Sequence, residues 1–206
     1  MNGSEKLICD RFSQPRMQRY LDTASGNHGT ALALYGQQAK VSAALWQTLG
    51  HVEVLVRNSM HDALQAHSAT WFDGLSLVFN EQTKADIAQA KARASRLQGP
   101  VTPGHVVAEL NFGFWRFLLS RNYDRALWVK YLHGAFPHHS GARDVLFRQM
   151  LVLNDARNAV AHHQRIDDPR AVRRVALEVS GYVCPATRDW INGECQVRSA
   201  LILPTR

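Results

Sequence analysis

At 206 residues, 46% hydrophobic and 20% charged, the chain is long enough for one substantial core with appendages, and a single domain over residues 1–206 is the default. Lys and Arg number 24 against 17 Asp and Glu, a formal net charge of +7, which favours polyanionic partners such as RNA or DNA. Three scattered cysteines, Cys9, Cys184 and Cys195, suggest neither a disulfide framework nor a zinc ribbon. Neither an apolar leader nor the roughly 18 apolar residues of a membrane span is present, so a soluble cytoplasmic protein with no membrane partner is expected.

Helical patterns follow one another along the chain. In "SQPRMQRYLDTASG" Ser13 is the expected cap, Pro15 lies in the first turn and Gly26 closes a short leading helix. Residues 28–67 carry Leu45, Leu49, Val52, Val56, Met60 and Ala63 at helical spacing, a core-facing stripe in which Gly36 and Gly50 mark positions for a kink or boundary. "NEQTKADIAQAKARASRLQ" reads as a charged, solvated outer helix with little apolar face, ended by Gly99 and Pro100. Two short aromatic-rich helices divided around Gly113 follow, then a helix from about Asp144 through His163. Asp168 and Pro169 start another. The tail from Cys184 is read as small helical turns or extended chain, with "QVRSALILP" able to pair as a strand. The core is expected over about 28–181, with 182–206 as a C-terminal extension.

On the helix of "RNAVAHHQRI", Leu146, Met150, Leu153 and Val160 form the buried side at about 100° per residue. Arg157 borders that stripe, Asn154, Asn158 and His162 climb the adjacent side, and Ala161 leaves room for an anion between cation and imidazole. Arginine carries a permanent charge and a planar fork that matches phosphate oxygens, while histidine moves protons near neutral pH. Earlier, Glu53, Arg57 and His61 recur at i, i+4 and i+8 with Asn58 beside Arg57. The two polar faces would meet in a bundle, with Glu53 orienting Arg57, Arg157 or His162.

"ALWQTLGHVEVLVRNSMHDAL", "LNFGFWRFLLS" and "ARNAVAHHQRI" together resemble the Abi-like, abortive-infection proteins of the HEPN superfamily of helical ribonuclease domains. The blocks stand in the family's order over most of residues 40–166. The superfamily motif, an arginine followed after four to six residues by a histidine, falls on Arg157, Asn158 and His162; where the family often has an acidic residue after the two histidines, this chain has Gln164. The resemblance implies an all-α, HEPN-like helical bundle with additional peripheral helices. It also implies a metal-independent endoribonuclease with no cofactor, working as a homodimer with a composite cleft, in phage defence or as a toxin. The RNA 2′-OH would attack, Arg157 would stabilise the phosphate, and His162 would act as general acid or base, giving a 2′,3′-cyclic phosphate. Asn158 and His163 would position RNA or hold the His162 tautomer, with Glu53, Arg57 and Asn58 in support. An antitoxin or a phage-derived activator is the further partner implied.

Plainer readings accompany each feature. Glu53 and Arg57 equally fit a structural ion pair, and His163 fits a supporting residue better than a catalyst. His138 and His139 fit a solvated loop. Trp46, Trp71, Phe112, Phe114, Trp115 and Trp128 fit mostly the core by helical spacing, with RNA stacking as the lesser alternative, and Arg170, Arg173 and Arg174 a solvated face or a phosphate-binding strip. His51 and Glu53 imitate the H-x-E of zinc deaminases, but Cys184-Pro185 reverses the order that chemistry requires. Phosphate-loop, dinucleotide and nucleophile-elbow motifs are absent. The alternative to an enzyme is a non-catalytic HEPN-like module that binds RNA, a nucleotide or a protein partner.

Overall fold

The computed structural model describes residues 2–75, 78–96 and 100–202. Among them the chain forms eleven α-helices and no strand, so the protein is all-α. No helix is long and apolar enough to cross a membrane among these residues.

Helices α1 (Asn2–Arg11) and α2 (Gln14–Thr23) make a hairpin that lies on the start of α3 (His28–Gln65). The hairpin has its own small core of Cys9, Met17 and Ala31, flanked by Tyr20, Leu21, Leu32 and Tyr35. Ser13 precedes α2 but does not cap it with its side chain, because its backbone takes φ +75°. Asn27 does cap α3, accepting from the Thr30 amide at 2.8 Å.

The 38 residues of α3 run unbroken through Gly36 and Gly50, about 57 Å at 1.5 Å per residue. Each interior glycine weakens a helix by about 1 kcal/mol. The buried stripe of Val41, Leu45, Leu49, Val52, Val56, Met60 and Leu64 outweighs both, since packing of an apolar face stabilises a helix more than propensity does. Against this beam pack α8 (Arg143–Ala161) and α9 (Pro169–Val183), which also pack on each other.

Between them, α4 (Trp71–Gly74) inserts Trp71 and Phe72 into the core. Helix α5 (Glu81–Ala94) is not solvated all round: Thr83, Ile87, Ala90 and Ala94 are buried, and α6 (Pro103–Glu109) packs against it. The stop read at Gly99 lies outside the described residues. Helices α6 and α7 (Phe112–Leu118) part at Leu110, not Gly113, because the Asn111 side chain caps α7 by accepting from the Phe114 amide at 2.9 Å. Gly113 instead leaves room for that cap: a Cβ there would stand 3.1 Å from Asn111 Oδ1, and 3.4 Å from Asn154 Oδ1 of α8. Short 3₁₀ and π turns over Arg121–Ala135 lead to α8, whose first residue, the buried Arg143, pairs with Asp124 at 2.9 Å and donates to the Leu119 carbonyl.

Asp168 caps α9 through the Ala171 amide at 2.9 Å. Helices α10 (Pro185–Glu194) and α11 (Val197–Ala200) complete the described chain. The segment read as a strand is therefore helical over Val197–Ala200, and its Leu203 and Pro204 lie outside the described residues. Ile191 and Val197 are buried in the main core, and Gln37 of α3 donates to the carbonyls of Ala200 and Ile202. Over residues 182–202 the tail thus packs against α3 and the main core.

Candidate functional site

Helix α8 stops inside the motif. The Gln164 amide donates to the Ala159 carbonyl at 2.7 Å and the His163 amide to the Val160 carbonyl at 3.0 Å, the paired bonds of a Schellman ending. His163 takes the left-handed position that glycine usually fills, at φ +55°, which costs a side-chain-bearing residue about 1–2 kcal/mol. From α2, Arg16 Nη1 donates to the His163 carbonyl at 3.1 Å. His162 is the last residue of the helical path, and its side chain is exposed.

Five residues earlier, Arg157 points into the seam between α8 and α3. Its Nε stands 3.5 Å from Glu53 Oε2, with the two side chains 32% and 20% exposed. That is an ion contact without hydrogen-bond geometry, and the buried Nε has no hydrogen-bond partner. The guanidinium carbon lies 5.4 Å from the centre of the Trp46 ring, within reach of cation–π attraction. A carboxylate and an indole thus fix the orientation of a cation that stays about one-third open.

The other expected residues are distributed around this pair. Glu53 faces Arg157, not Arg57, whose Nε donates to Asn58 Oδ1 at 3.3 Å. Asn154 is buried while Asn158 is exposed. Successive α-helical residues turn about 100°, so Arg157 and His162 leave α8 about 140° apart, whereas Asn158 and His162 are within about 40°. Within one chain the cation faces the seam, and the imidazole shares an outer face with Asn158. His61 is engaged elsewhere: its Nδ1 accepts from Trp71 Nε1 at 2.9 Å, and burial holds its imidazole below the ordinary range.

Beside the end of α8 a groove of about 510 Å³ runs between α2, α3 and α8, lined in part by Arg16, Tyr20, Tyr35, Trp46, His163 and Gln164. Arg157 and His162 themselves do not line it. It continues through Arg16, Tyr20, His163 and Gln164 into a second recess of about 550 Å³ that adds Arg19, Arg165 and Asp167. Trp46 corrects the core reading of the aromatic residues, since its side chain is on the surface at 47% exposure while Trp71, Phe112, Phe114 and Trp115 are buried. Spacing held the signal: Trp46 is seven residues before Glu53, which sets both on one side of α3. Nothing in the sequence pattern marked Arg16 or Arg19, because the fold of the hairpin brings them here.

The remaining basic and histidine features lie apart. Arg173 and Arg174 border a separate cleft with His138, Tyr182 and Arg188, where Arg173 contacts Asn192 and Arg174 stands 3.9 Å from Glu178. His139 does not float in solvent, its ring centre standing 4.5 Å from that of Tyr182. Among the described residues no three His, Cys, Asp or Glu side chains gather to hold a metal ion. No protein-family model, curated protein or solved structure matches the chain.

Proposed function

We propose that this protein is a metal-independent endoribonuclease of the HEPN type, acting in phage defence or as a toxin, with Arg157 and His162 as its catalytic residues. The observation that carries the reading is the one-third-open Arg157 held by Glu53 and Trp46, with the exposed His162 five residues on. A guanidinium held in one orientation is prepared for the anionic phosphorane before it forms, which is the condition for electrostatic catalysis. In this mechanism an imidazole takes the proton of the 2′-OH as its oxygen attacks phosphorus. A second imidazole gives a proton to the departing 5′-oxygen, leaving a 2′,3′-cyclic phosphate and a 5′-hydroxyl. One chain presents a single motif histidine on this face with Asn158, so the two proton transfers call for a homodimer in which each copy supplies one His162.

A test is cleavage of RNA by the purified protein in chelator, with product ends identified, for wild type, Arg157→Ala and His162→Ala. The reading expects cyclic-phosphate ends without metal and a loss of about 10²–10⁴ in rate for His162→Ala. Intact RNA under all conditions, or undiminished cutting by His162→Ala, overturns it. One observation favours a second reading, the non-catalytic RNA-binding module: the neighbouring groove is lined by Trp46, His163 and Gln164 but not by Arg157 or His162. Growth arrest by wild type but not by Arg157→Ala in a bacterial host favours the nuclease, and equal growth favours the module.

A further inference from the structure

We propose that two adjoining recesses, one between α2, α3 and the end of α8 and the other between α2 and the segment that follows α8, hold one unpaired nucleotide of a single-stranded RNA, its base in the aromatic groove and its phosphates along Arg16, Arg19 and Arg165. The inference rests on the ribonuclease reading only for the identity of the polymer that passes the motif.

The first groove has the volume of a small-ligand site, about 510 Å³, within the roughly 300–1,000 Å³ such sites span. Three aromatic side chains line it, Tyr20, Tyr35 and Trp46, and base stacking on aromatic faces is how single strands are gripped without duplex geometry. Gln38 and Gln164 are also in its wall. Their amides carry donor and acceptor together, the pairing needed to meet a base edge.

The second recess supplies the charge. Arg16 sits at the junction, and its bond to the His163 carbonyl leaves its positive charge uncompensated. Arg19 makes no ion pair among the described residues. Arg165 stands 3.5 Å from Asp167, the acidic residue of the recess. Three guanidinium groups against one carboxylate leave an excess that suits phosphates. A base stacked in a duplex has no path into a groove walled by three helices, so the occupant must be unpaired.

The test uses the full chain and a fluorescein-labelled 2′-O-methyl oligoribonucleotide, which lacks the attacking hydroxyl and stays whole. Fluorescence anisotropy compares the single strand, the same strand annealed to its complement, a nucleoside monophosphate and inorganic phosphate as competitors. The variants are Arg19→Ala and Ala43→Glu, both at exposed positions, the second placing bulk and negative charge in the groove wall. Circular dichroism checks that their helices are kept. The expected result is single-strand binding about tenfold tighter than duplex binding, with each variant weakened by about fivefold or more. Arg19→Ala should also lower the salt slope by about 0.7, one phosphate's share on a single strand.

Equal binding of duplex, wild-type binding by both variants, or a monophosphate that competes as strongly as the strand overturns the proposal. So does sedimentation showing a dimer that Ala43→Glu dissociates while strand binding is unchanged, since a second copy would then cover the groove. Failure of the two readings is separable. Loss of cleavage in His162→Ala with strand binding kept leaves this site standing. RNA cutting with wild-type strand binding in both groove variants removes the site and leaves the nuclease.

Discussion

Arg16 and His163, 147 positions apart, are joined by a hydrogen bond of 3.1 Å from guanidinium to backbone carbonyl. The bond ties the amino-terminal hairpin to the one residue that ends the motif helix in a left-handed conformation. The hairpin therefore bears directly on where the chain leaves α8, one residue after His162.

His163→Gly is expected to stabilise the fold. It removes a left-handed penalty of about 1–2 kcal/mol, against about 0.5–1 kcal/mol for the freer unfolded chain that glycine brings. Urea unfolding should show a net gain of about 0.5–1 kcal/mol, and His163→Val should move the midpoint the other way. A loss of stability in the glycine variant would mean that the imidazole makes contacts that matter more than the backbone angle.

Gly36→Ala and Gly50→Ala should each stabilise α3 by about 1 kcal/mol. A methyl group at either position would meet no atom within 4 Å, so the gain in helix propensity is not offset by a clash. Thermal unfolding of the single and double variants tests this, and the two shifts should add, being far apart on the helix.

The Glu53–Arg157 pair should contribute little to stability. Both side chains are partly open to solvent and the contact is 3.5 Å, conditions under which ion pairs contribute about 0–1 kcal/mol. A double-mutant cycle with Glu53→Gln and Arg157→Ala should give a coupling energy below about 1 kcal/mol. A larger coupling would show that the pair is structural, and would weaken the view that Glu53 serves to aim the guanidinium.

His61 should make stability fall with acid. Burial holds its folded-state imidazole below the ordinary range, and Nδ1 accepts the Trp71 indole hydrogen at 2.9 Å. The unfolded chain takes up the proton first as pH falls, so the stabilisation is present above the ordinary imidazole value. It is lost progressively below about pH 6.5 and levels off beneath the folded-state value. His61→Gln keeps an acceptor but does not titrate, and its midpoint should vary less between about pH 7 and pH 5.

The helical body was legible because long apolar periodicities specify it: the stripe from Leu45 to Met60 and that from Leu146 to Val160 are buried. Side-chain caps were less legible. Asn27, Asn80 and Asn111 set helix starts, whereas glycine alone points to a break around Gly113 and a kink or boundary near Gly36 or Gly50. The structure has neither: the Asn111 cap sets the start of α7, and the buried stripe of α3 carries its helix unbroken through both glycines. Arg157 at the border of its stripe and Glu53 opposite could be read from angular position. The groove could not, since it is built by Arg16, Tyr20 and Tyr35 from a hairpin whose placement depends on contacts distant in sequence. The divergence of Arg157 from His162 was in the spacing, because five residues of α-helix do not return to one face.

The hairpin packs on the start of α3 through a small core of Cys9, Met17 and Ala31 that is separate from the main one. Amide hydrogens of α1 and α2 should exchange with deuterium through a local opening of lower free energy than those at the centre of α3, where the buried stripe is longest. Such an opening would break the Arg16 tether and remove one wall of the groove, so the aromatic cleft would come apart before the core of α3 does.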